Sequence, residues 1–134
     1  MGYGTGIRLK ADFNDTVARV RAALKDQGFG VLTEIDVQAT LKEKLGEDME
    51  PYLILGACNP PLAHRALAVD RRIGLLLPCN VVVRVDGEAT VVEALDPQIM
   101  VGLTGQAGLA PVADEAAARL GAMLRALGGE PTGE

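Results

Sequence analysis

The sequence predicts an α+β domain, a two-layer, mainly antiparallel curved sheet with helices on one face. Three observations carry that reading. Segments that alternate apolar and polar residues trade places along the chain with segments whose apolar residues recur at helical spacing. Two Val-rich runs flank Asp86-Gly87, a dipeptide suited to a two-residue turn, so at least one strand pair is antiparallel. The chain has 134 residues, 49% of them hydrophobic, enough for one core and no second domain. With 3% aromatic residues and no Trp, that core must be built from Val, Leu, Ile and Ala. A doubly wound parallel sheet is the alternative; the hairpin and the missing phosphate loop after the first strand weigh against it.

Tyr3, Thr5, Ile7 and Leu9 alternate with Gly4, Gly6, Arg8 and Lys10 as a first strand with one buried face. Asn14 is placed to cap a helix striped by Phe13, Val17, Val20 and Leu24, which Gly28 ends. A second strand runs from Phe29 to Ile35, and Asp36 caps a short helix carrying Val37, Leu41 and Leu45 up to Gly46. After a solvated acidic turn, Glu47 to Glu50, Pro51 opens a third strand, Tyr52 to Ala57, apolar on both sides and therefore inside the sheet. Asn59 caps a third helix with Pro60 at its first position, where a missing N–H costs nothing.

The run Ile73 to Pro78 fits neither period. In the hairpin, a loop of Asp86 and Gly87 would set Val85 opposite Glu88, Val83 opposite Thr90 and Val81 opposite Val92. Residues 96–111 read as a long glycine-rich connection, whose glycines at 102, 105 and 108 match no phosphate-loop pattern. A last helix is striped by Val112, Ala116, Leu120, Met123 and Leu127; its interior Gly121 implies close packing on the sheet. The whole, residues 1–134, forms a single domain with frayed ends at 1–2 and 130–134.

A net charge of -5 argues against a nucleic-acid partner, which needs a basic patch to release counterions. No apolar run reaches the ~20 residues that span a bilayer, and the N-terminus has no signal-peptide core, so the expectation is a cytoplasmic protein that does not engage membranes. Two cysteines in a chain with its own core imply thiols before a disulfide scaffold.

The blocks ILGACNPPLAHRAL and GLLLPCNVVV, the Val-rich hairpin and Asp96-Pro97 resemble the domain of unknown function 302 family, from about Phe13 to Leu127. The resemblance implies a fold like that of TATA-box-binding protein and homodimers. It implies no established activity.

Two constellations could carry function. Cys58 precedes the cap of the third helix, where oriented N–H groups favour a thiolate. It meets Cys79 only if their strands are antiparallel, and His64 would complete a three-ligand metal set with an open position. The plainer reading has both cysteines packed as small hydrophobes and His64 solvated on the helix flank. The second constellation is the sheet face away from the helices, where alternation places Arg8, Leu32, Glu34, Asn80, Val82, Arg84, Val91 and Glu93. Arg8, Glu34, Asn59, Asn80, Arg84 and Glu93 are the candidate ligand-binding residues. No nucleophile and base stand at a recognisable spacing, and no cofactor is indicated. These observations point to a non-catalytic homodimeric module binding a small ligand or protein partner; the alternative is a cysteine-based redox or metal-binding protein.

Overall fold

A computed structural model describes residues 2–132. The first strand is β1 (Gly4–Leu9), followed by helix α1 (Phe13–Asp26), β2 (Gly30–Asp36), α2 (Val37–Leu45) and β3 (Tyr52–Cys58). Then come α3 (Pro60–Val69), a 3-10 helix (Arg71–Leu76), the hairpin β4 (Cys79–Asp86) and β5 (Ala89–Leu95), α4 (Ile99–Thr104), a short 3-10 turn (Ala107–Leu109), α5 (Ala110–Leu127) and β6 (Glu130–Pro131). The strands form one sheet in the order β2-β3-β4-β5-β1-β6, every neighbouring pair antiparallel. The two-layer α+β expectation is met.

Alternation decides which side chains meet the helices. Leu55, Val81, Val83 and Val92 are fully buried on the inner face, under Val20 and Leu24 of α1 and Leu120 and Met123 of α5. A second cluster joins Leu62 and Ala66 of α3 to Ile73, Met100, Leu109, Val112 and Ala116. Helix α5 is the spine of both, its first half serving the second cluster and its last half the first.

Several local expectations are corrected. Helix α1 begins at Phe13 and is capped by Asp12, whose carboxylate accepts from the Asp15 N–H at 3.1 Å; Asn14 lies inside the first turn. The hairpin loop is Gly87-Glu88, because Asp86 pairs with Ala89 and Val83 with Val92. This keeps Asp86 in the ladder, where Arg8 of β1 reaches it at 2.7 Å, and gives the left-handed position to Gly87 at φ 61°. The ladder slides by an even step, so every residue keeps its face. The segment 96–111 is not a bare connection: Met100 and Leu109 are buried and hold α4 and the 3-10 turn in place. The run from Ile73 falls in the 3-10 helix, capped by Asp70.

At the C-terminal end, Glu130 and Pro131 pair with Arg8 and Ile7 in place of fraying, and the Thr132 N–H donates to the Gly6 carbonyl at 3.0 Å. Of the ends expected to fray, residues 1, 133 and 134 lie outside the described residues.

Gly121 is not packed on the sheet; among the described residues a Cβ there meets only the Arg125 guanidinium, at 3.2 Å. The tight glycine is Gly129, where a Cβ would stand 2.7 Å from the Arg8 carbonyl oxygen and 2.8 Å from Leu9 Cδ2. Urea denaturation should therefore separate the two. Gly129→Ala should lose about 1–3 kcal/mol through overpacking, whereas Gly121→Ala should gain up to ~1 kcal/mol of helix propensity.

Candidate functional site

The outer sheet face is built by residues that register sets side by side. Ile35, Ile54 and Val82 form one row across β2, β3 and β4, continued by Glu93 of β5 and Gly6 of β1. In the next row Tyr52, Arg84, Val91 and Arg8 stand in line. Val91 is only 1% exposed despite facing away from the helices. Its direct neighbours are two arginines, whose aliphatic stems roof it while their heads reach carboxylates. Arg84 Nε pairs with Glu93 Oε1 at 3.0 Å and Arg8 Nη1 with Asp86 Oδ2 at 2.7 Å.

Of the residues expected there, Arg8, Asn80, Arg84 and Glu93 share this face, Asn80 exposed beside Gly56. Glu34 does not. A bulge between Val31 and Thr33 reverses the alternation of β2, so Glu34 aligns with inward-facing Leu55 and pairs with Arg21 of α1 at 2.8 Å. Leu32 stands at that bulge, exposed. Asn59 is buried and structural, its Oδ1 accepting from the Leu62 N–H at 3.3 Å as the cap of α3.

The antiparallel β3–β4 pairing sets Cys79 opposite Ala57, one residue from Cys58. Both cysteines are thiols lining one small cavity of about 30 Å³, on the seam between the two apolar clusters, with Phe29, Met100 and Ala116. That is room for about one water molecule. Burial pushes the Cys79 thiol pKa up, and the nearby Cys58 adds to the shift. His64 is exposed on α3. Among the described residues no three His, Cys, Asp or Glu side chains come together as a metal set.

A larger feature was missed in the sequence. A groove of about 490 Å³ lies between α5 and β1, lined by buried Ile7 and Leu124 and by the charged Arg125 and Asp96. Its sequence signals were a glycine inside a helix one turn before an arginine, and an Asp-Pro closing a strand.

This is the architecture of an antiparallel sheet with a helical layer on one side, carrying an uncovered outer face and an edge groove. The model of the domain of unknown function DUF302 matches residues 6–127, and the chain belongs to that family. It is also similar to the uncharacterized conserved protein DUF302 from Bacillus stearothermophilus, seen in a crystal structure. The two are 32% identical and superpose with a TM-score of 0.87, over 93% of this chain and 98% of that one. No curated protein matches. Among the described residues no helix is long and apolar enough to cross a membrane.

Two measurements test the electrostatics. Iodoacetamide should label Cys58 before Cys79, and Cys79 should react only above the pH at which an ordinary thiol does, as read by mass spectrometry. Because its folded pKa lies above the unfolded one, native stability should fall as pH climbs past the ordinary thiol value near ~8.5. The Asp86 carboxyl is held below the usual range by its hydrogen bond from Arg8. Its contribution is present at neutral pH and fades as pH drops below ~4 toward the folded value. Asp86→Asn should flatten that acid limb in a pH series of melting curves.

Proposed function

We propose that the chain is a non-catalytic homodimeric module that binds a small ligand or a protein partner, with the outer sheet face as its contact surface. The observation that carries this reading is the apolar row Ile35, Ile54 and Val82. It runs without a covering layer to the β2 edge, which pairs with no further strand among the described residues. Ile35 is 48% exposed and Leu32 67% exposed, and an open edge with apolar neighbours favours pairing with another surface. The charged half of the face is occupied by its own ion pairs, so contact falls on the apolar row. Both cysteines are free thiols, which suits the cytoplasm.

Light scattering and native mass spectrometry should give a dimer for the natural chain. Ile35→Lys and Val82→Lys should give monomers with unchanged circular dichroism. A natural chain that stays monomeric at high concentration, or lysine variants that stay dimeric, would sink the proposal.

A second reading, a cysteine-based redox or metal-binding protein using Cys58 and Cys79, is favoured by the cavity the two thiols share. It requires a mild oxidant to remove both thiols together with a loss of two hydrogens from the intact mass, or a metal in the native mass. Two inert thiols in a metal-free protein dismiss it.

A further inference from the structure

We propose that the groove between α5 and β1 binds a small zwitterion with an aliphatic side chain, the chemistry of a free α-amino acid. This site is distinct from the outer sheet face and does not depend on the reading given for that face. Its volume, about 490 Å³, falls within the range of small-molecule sites. The floor is apolar: Ile7 and Leu124 are 6% and 5% exposed, and Ala117 and Pro97 extend it.

Its lining carries one charge of each sign, Arg125 and Asp96, and neither has an ionic partner among the described residues. Arg125 rises from α5. Asp96 lines the groove just beyond β5, one carboxylate oxygen accepting from the Gln98 N–H at 2.9 Å and the other free of any such bond among the described residues. An amino acid would set its carboxylate on the guanidinium, its ammonium on Asp96 and its side chain on Ile7 and Leu124. A ligand with one charge would engage only one of the two groups and forgo the second charge-assisted contact.

Gly121 points to the same site independently. Glycine inside a helix costs ~1 kcal/mol against Ala, and nothing in the helix or sheet requires it here. Among the described residues the only atom a Cβ would crowd is Arg125 Nη1, at 3.2 Å, one turn along α5. The missing side chain lets the guanidinium fold back over bare backbone at the mouth of the groove.

The test is calorimetric titration and thermal shift of the full chain with leucine, methionine and phenylalanine, beside 4-methylpentanoic acid and 3-methylbutylamine as the single-charge analogues of leucine. At least one amino acid should bind and raise the melting temperature, and both analogues should bind roughly tenfold or more weakly than leucine. Arg125→Ala should weaken leucine by a similar factor. Asp96→Asn should do so too, while keeping the oxygen that serves Gln98. Gly121→Leu, which fills the groove and improves helix propensity, should abolish binding in a folded protein. Ile35→Lys should leave binding unchanged, so failure of the dimer and failure of this site are told apart. The proposal is overturned if none of the three amino acids binds, if either analogue matches leucine, or if Gly121→Leu still binds.

Discussion

The structure depends on burying one face of its central strands under short aliphatic side chains. Leu55, Val81, Val83 and Val92 are fully buried, beneath Val20, Leu24, Leu120 and Met123. Each such side chain contributes roughly 1.5–3 kcal/mol by leaving water. With no Trp to fill gaps, the contact has to be made by many small shapes at close packing density. The two long helices, α1 and α5, both pack on this face. The outer face satisfies itself by roofing Val91 with arginine stems and closing their heads on Asp86 and Glu93.

The helical layer is tied by arginines that end on other helices' last carbonyls. Arg19 of α1 donates to the Leu127 carbonyl at 2.7 Å, and Arg119 of α5 donates to the Gln27 carbonyl at 3.1 Å, so each long helix closes the end of the other. Glu115, held below the usual carboxylate range by Arg65 and Arg119, joins α3 to α5. These ties hold the two apolar clusters at a fixed offset. The seam between them is where the cysteine-lined cavity lies, and a buried thiol whose pKa is raised behaves there as a small hydrophobe.

The architecture was legible because period-two alternation survives local errors. The hairpin loop was misplaced by one residue, yet Val81, Val83 and Val92 still fell on the inner face, since the slip changes register by an even step. The bulge in β2 is the opposite case. One extra residue reverses a face, and nothing in Val31-Leu32-Thr33 announces it, so Glu34 was set on the wrong side. The cap of α1 was expected at Asn14; Asp12, two residues earlier and as good a cap residue, is the one that accepts from the Asp15 N–H. The groove left only two separate local marks, Gly121 before Arg125 and Asp96-Pro97 after β5, and nothing in the sequence joins them, because tertiary packing alone brings Ile7, Asp96 and Arg125 together from three distant parts of the chain.

The glycines separate constraint from opportunity. Gly129 lies against the backbone of β1, and Gly56 lies beneath Thr33 Oγ1 and Pro78 Cγ, both of which a Cβ would overlap; both glycines are demanded by packing. Gly121 has no such demand, so its presence has to be sought in what it leaves open. The space it leaves is beside β1, while the uncovered apolar row ends at β2, four strands away. At ~4.8 Å per strand that is roughly 20 Å. A second copy docked at β2 would leave the groove accessible, and coupling between the two would have to pass through the sheet or along α5. Helix α5 reaches the groove through Gly121 and Arg125, and the core beneath the apolar row through Leu120 and Met123. Helix α5 is thus, among the described residues, the one helix that contributes side chains both to the groove and to the core beneath the apolar row.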